Sequence, residues 1–178
     1  MTASPEAGRN SRDPRAERRK RVAIHEAGHA VAIIALGGAF DSVSIGADGL
    51  ALGRVRGPVF SPQGAPGRGW SDDDCYVVAL YAARYAEVML TGSFARRAAS
   101  NDARLAIDHL RGRNQLDPTR VAALRRAARA LIEEHRAVCL SVARQLHESG
   151  VLSGDQVRQL VASGAAPITV SPDTASEG

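Results

Sequence analysis

A chain of 178 residues with 44% hydrophobic content is long enough for one ordinary domain with a real core, and too short for two comfortable ones. Only 4% of the residues are aromatic while Ala is abundant, so the core must be built from Leu, Val, Ile and Ala, which favours close-packed helices over sheet. The formal charge of +4 would suit a nucleic-acid binder, but much of the excess lies between Arg12 and Arg21 with no aromatic residue interleaved, so that run reads as a solvated arm and argues against nucleic acid as a partner.

Residues 1–12 mix Ser, Pro, Gly and charge, and residues 164–178 are equally poor in apolar content, so both are expected to be disordered tails around a domain spanning 13–163. Asp13-Pro14 reads as an N-cap with proline at the first helical position, and Gly37-Gly38 supplies a left-handed stop. One helix from about 14 to 36 follows. Its second half, Val22 to Leu36, is apolar on nearly every face except at His25, Glu26 and His29, which implies burial in the middle of the domain. Val43 and Ile45 alternate with serines, and Leu50, Leu52 and Val55 lie beyond the Ala47-Asp48-Gly49 turn, so a small hairpin or sheet is expected near residues 41–56.

Gly and Pro crowd residues 57–70, an irregular connection. Ser71 with Asp74 makes a capping-box start for a helix running to Gly92, and Ser100 is expected to cap a short helix to about Arg113. Asp117-Pro118 then opens a single long helix of about 118–148, ended by Gly150, and Ser153 caps a last short one. Cys75 and Cys139 sit inside apolar periodic stretches, which suits buried thiols in a reducing compartment. No leader-like apolar segment follows the N-terminal charges and no run of eighteen apolar residues occurs, so the expectation is a cytoplasmic chain with no membrane partner.

The chemistry concentrates at His25-Glu26-Ala27-Gly28-His29. Two histidines four apart on a helix stand on one face about 6 Å apart along the axis, so both imidazoles can reach one metal ion. Glu26 is carried round by about 100°, out of ligand position but close enough to take a proton from water activated at the metal. Burying these three polar groups in an apolar half-helix costs several kcal/mol unless something satisfies them, and Zn²⁺ would.

The stretch Val22 to Ile33, with HEAGHA at its centre, resembles the peptidase domain of the FtsH-type AAA proteases, and the resemblance continues in order along the chain. Val43-Ser44-Ile45 and Gly49-Leu50-Ala51-Leu52-Gly53 are similar to that family's V-T-I and G-M-A-L-G strand segments, the second bordering the catalytic cleft where a substrate backbone could pair. Ala83-Arg84-Tyr85-Ala86-Glu87 resembles its G-R-A-A-E-E helix, Ala98-Ala99-Ser100-Asn101-Asp102 its G-A-S-N-D segment, and Leu131 to Leu160 its terminal helices. The resemblance spans residues 18–162 and implies a mostly α (α+β), zincin-like helical metallopeptidase domain, with Asp102 as the third zinc ligand and Glu87 as acceptor for a ligand histidine N–H. From the residues alone, Asp102 could equally be a helix-dipole aspartate, and Glu87 a rival third ligand. His109 with Asp108 is the remaining histidine pair to be checked.

The expected function is zinc-dependent endopeptidase cleavage of flexible or unfolded protein segments, with Glu26 as general base. No Walker A sequence is present, so the chain is not expected to unfold substrates itself and could borrow a separate ATPase partner. The alternative is a catalytically silent zinc-binding regulatory or interaction module.

Overall fold

Asp13 starts the first helix as its residue type dictates, its side chain accepting from Arg15 N at 2.9 Å with Pro14 at the first helical position. The computed structural model describes residues 13–46, 53–60 and 69–164, and both expected tails and residues 47–52 lie outside these apart from Gly164. Among the described residues six helices surround a small sheet, giving the mostly helical α+β fold that the composition favours. Helix α1 (Pro14–Ala35) ends where Gly37 takes a left-handed φ of 79°. Its second half is buried almost residue by residue from Ala23 to Ile34, because α2 (Asp72–Thr91) and α5 (Arg136–Ser149) pack against it and the sheet covers another side.

The α1–α2 contact is set by small residues. A Cβ on Gly28 would lie 2.7 Å from Ala83 Cα and 2.8 Å from Ala86 Cβ, so only glycine lets the two helices approach this closely. That closeness brings Glu87, one residue beyond Ala86, against the His25 ring. Helix α2 begins with the expected capping box of Ser71 and Asp74 and stops at Gly92, whose φ is 75°.

Two helices depart from expectation. Helix α3 (Arg96–Gly112) starts four residues before Ser100, and its N-cap Ala95 carries no capping side chain. The Glu87 carboxylate supplies the missing acceptor instead, taking the Ala95 N–H at 2.6 Å. The long helix expected over 118–148 is two, α4 (Pro118–Glu134) and α5, because His135 leaves helical geometry at φ −101°, ψ 23°. The buried residues of α4, Val121, Leu124, Ala128 and Leu131, and those of α5, Val138, Val142 and Leu146, carry one apolar stripe across the break.

Strand β1 (Ser42–Ser44) is central. It pairs antiparallel with β2 (Arg54–Arg56), Val43 facing Val55, and with β3 (Val151–Ser153), Val43 facing Leu152. The expected hairpin is therefore a three-stranded sheet, and β2 forms one edge. Helix α6 (Gly154–Ala162) follows β3 directly under the capping box of Ser153 and Gln156.

The basic run is not entirely a solvated arm. Arg19 is part-buried and clasps the far end of the fold, donating from Nε and Nη2 to the His147 carbonyl at 3.2 and 3.1 Å and from Nη1 to the Gly46 carbonyl at 3.0 Å. A guanidinium at the last carbonyls of α5 also complements that helix's negative end. Both cysteines are buried and free, and burial pushes the Cys139 thiol up to about 12.

Candidate metal centre

His25 and His29 lie one turn apart on α1, and Asp102 reaches them from α3. One ligand atom from each falls within 4.8 Å of the others. The Asp102 Oδ2 atom is 3.1 Å from His25 Nε2 and 3.6 Å from His29 Nε2, and the two rings meet edge to face with centroids 4.9 Å apart.

The other nitrogen of each ring is already committed. His25 Nδ1 is 2.6 Å from Glu87 Oε1, and His29 Nδ1 is 2.9 Å from the Ala79 carbonyl oxygen, which can only accept. Each Nδ1 therefore carries a hydrogen, so that loss of the Nε2 proton would leave that nitrogen's lone pair facing Asp102. Glu87 is fully buried and divides its two oxygens between His25 and the Ala95 N–H, so it orients rather than joins the three converging groups. Asp102 Oδ2, by contrast, is buried without a well-formed hydrogen bond among the described residues. A buried carboxylate oxygen facing two imidazole nitrogens is a donor set that a cation would satisfy. Zinc bonds of about 2.0–2.1 Å in a tetrahedral array need ligand atoms about 3.3 Å apart, and the observed 3.1 and 3.6 Å bracket that separation. The residues fit the ion.

Glu26 is also buried, beside His25 and His29 in the same cleft, and its carboxyl group makes no hydrogen bond among the described residues. Burial pushes its pKa up, and the two histidines offset only part of that. A carboxylate poised nearer neutrality is what proton exchange with substrate and water requires. Gly53 covers it so closely that a Cβ there would overlap the Glu26 side chain. Of the segment expected to hold substrate, Gly49, Leu50, Ala51 and Leu52 lie outside the described residues, while Gly53, Arg54 and Val55 line the cleft. That cleft has a volume of about 860 Å³.

The sequence matches no protein-family model, and comparison with the curated proteins finds no relative. What the site is therefore rests on its own residues.

Two pairings were not legible beforehand. His109 pairs with Asp73, Nε2 to Oδ1 at 2.7 Å, and not with Asp108, which is held instead by Arg104 at 3.2 Å and Arg111 at 3.0 Å. This bond ties α3 to the first turn of α2 and so steadies the helix that carries Asp102. The Ala79 carbonyl that fixes His29 is backbone, and no side-chain pattern announces it.

Without metal, the cluster stores charge. Burial by itself would lower the His25 pKa, but the Asp102 and Glu87 carboxylates outweigh it and raise it to about 10. For Asp102, burial acts upward and is overcome by the two histidine rings, which hold it well below the usual carboxylate range. The raised histidine contributes stability in full below its unfolded value of about 6.5, and this is lost as pH rises toward 10. The depressed aspartate contributes above its unfolded value of about 3.9, and this is lost as pH falls. Thermal melts of metal-free protein are expected to show maximal stability between about pH 4 and pH 6.5, declining on both sides. A melting temperature still rising from pH 7 to 9 would contradict a charged His25 cluster.

Proposed function

We propose that this chain is a zinc-dependent endopeptidase that hydrolyses peptide bonds in flexible or unfolded protein segments. The observation that carries the reading is the convergence of His25 Nε2, His29 Nε2 and the orphaned Asp102 Oδ2, with the unbonded carboxyl of Glu26 beside them at the floor of an open cleft. Its likeness to the peptidase domain of FtsH-type AAA proteases, in the HEAGH and SND segments, agrees with these positions.

His25, His29 and Asp102 would hold the ion, and Glu87 with the Ala79 carbonyl would keep both rings turned toward it. When bound, zinc supplies Lewis acidity, polarising the scissile carbonyl and lowering the pKa of water to about 7. Glu26 accepts the proton that water loses as its oxygen bonds to the carbonyl carbon, and returns that proton to the amine as the C–N bond breaks. Among the described residues β2 is an edge strand, and its Arg54 and Val55 line the cleft, where an extended substrate could pair with it. No described helix is long and apolar enough to cross a membrane. The cytoplasm is the compartment that two buried free thiols suit best.

The deciding experiment measures metal and turnover together. Purified protein is expected to hold about one zinc per chain and to cleave casein without ATP, with activity lost to a chelator and restored by zinc. Because His25 carries a proton up to about pH 10 in the metal-free protein, zinc uptake near pH 7 is expected to release about one proton. Protein that neither contains nor takes up zinc ends this reading, and zinc-replete protein inert on every unfolded substrate favours a silent zinc-binding module.

A further inference from the structure

The cleft above the two histidines has apolar walls, among them Val22, Ile33, Val55 and Leu105, and among the described residues its carboxylates are Glu26, Glu87 and Asp102 at the floor. The mouth carries the opposite charge. Arg18 and Arg21 come from the exposed face of α1, Arg54 from β2 and Arg97 from the first turn of α3, and all four line this one opening. They belong to three elements remote in sequence, so their convergence is a property of the fold and not of the basic run near the N-terminus. Each is exposed, and none of the four guanidinium groups has a hydrogen bond or ion pair among the described residues.

With a divalent ion on His25, His29 and Asp102, the floor would keep one net negative charge beneath four positive charges at the rim. Low-dielectric walls focus such a field into the opening. A nucleic acid would have to bring phosphates over the three floor carboxylates. An extended peptide instead sets its uncharged backbone over the floor and its side chains at the rim, where acidic ones meet the arginines.

We propose that the cleft selects acidic peptide segments, with Asp or Glu side chains flanking an apolar centre and pairing with Arg18, Arg21, Arg54 and Arg97. The placing of the scissile bond at the floor rests on the peptidase reading above, but the charge selection does not.

Binding and cleavage test the two separately. Two fluorescein-labelled peptides with the same apolar centre, one flanked by Glu and one by Lys, are titrated by anisotropy against zinc-loaded Glu26→Gln protein. The Glu-flanked peptide is expected to bind at least about tenfold tighter at about 50 mM salt, with the difference shrinking at about 500 mM. The preference is expected to fall several-fold in Arg18→Gln/Arg97→Gln and in Arg54→Gln, and to persist in Arg144→Gln, which lies on α5 outside the cleft. Equal binding of the two peptides overturns the proposal. So does a preference untouched by the rim substitutions in protein of native circular dichroism, or displacement of the acidic peptide by single-stranded DNA at lower concentration than by unlabelled peptide. Hydrolysis of the same pair by the wild type separates the readings. Preference in binding without any cleavage removes the peptidase and leaves the selection, whereas cleavage of both peptides at equal kcat/KM removes the selection and leaves the peptidase.

Discussion

Glu26→Gln protein will keep about one zinc per chain and lose casein hydrolysis by roughly a thousandfold, within the range that general acid–base groups contribute. The amide has nearly the shape of the carboxylate, so it keeps the close contact with Gly53. It breaks no hydrogen bond, because the carboxyl group makes none among the described residues. It also removes a buried acid whose charged form burial disfavours, so at neutral pH the variant is expected to melt no lower than the wild type. Fold and metal are thus held constant while the one group able to take a proton from water is neutralised. Full activity in a preparation free of other proteases would show that Glu26 is not the base.

Asp102→Ala is expected to lower zinc affinity by well over a hundredfold, whereas Glu87→Gln should lower it by about ten- to a hundredfold. The difference follows from what each carboxylate touches. Asp102 Oδ2 faces both Nε2 atoms, and removing it deletes one of the three converging ligand atoms. Glu87 faces Nδ1 on the other side of the His25 ring, so replacing it loosens an orientation and removes a charge. Glutamine is the better probe there, since alanine would leave a cavity at a fully buried site and deprive the Ala95 N–H of its acceptor. Competition titrations against a chromophoric chelator give both affinities, and the reverse order would make Glu87 the ligand.

The sequence was most informative where local chemistry decides structure. Proline behind an N-capping aspartate began α1 and α4, glycine ended α1, α2 and α5, and Ser71 and Ser153 opened their helices by capping boxes. What it hid was decided at long range. The start of α3 depends on Glu87, eight residues upstream of the Ala95 N–H it accepts, and β3 is a three-residue strand with no meaning apart from β1. The break at His135 involves neither proline nor glycine, so no residue type marks it in the sequence. At the site, the spacing of His25, Glu26 and His29 was readable because one helix carries all three. Asp102 came from resemblance, since nothing local says that α3 crosses the mouth of α1. The rim was hidden for the same reason: Arg54 and Arg97 join Arg18 and Arg21 of the exposed basic run only after folding.

Strand β3 also fixes when the domain can mature. Val151–Ser153 closes the sheet beside Ser42–Ser44, and Arg19 reaches the His147 carbonyl just before it, so the helix bearing the histidines is clasped by residues made more than a hundred positions later. Closing a loop of that length costs about 4 kcal/mol in chain entropy, which must be met by packing of α5 and α6. At about 5–20 residues per second, the helix bearing His25 and His29 is synthesised on the order of ten seconds before its sheet can be completed. A nascent chain arrested at Gly150 is accordingly expected to lack protease-resistant structure that the finished chain has. If the arrested chain resists digestion as well as the finished one, the sheet is not what completes the domain. On the proposed function, a cleft assembled in this way could not act on the apparatus that makes it until residues through Ser153 have been produced.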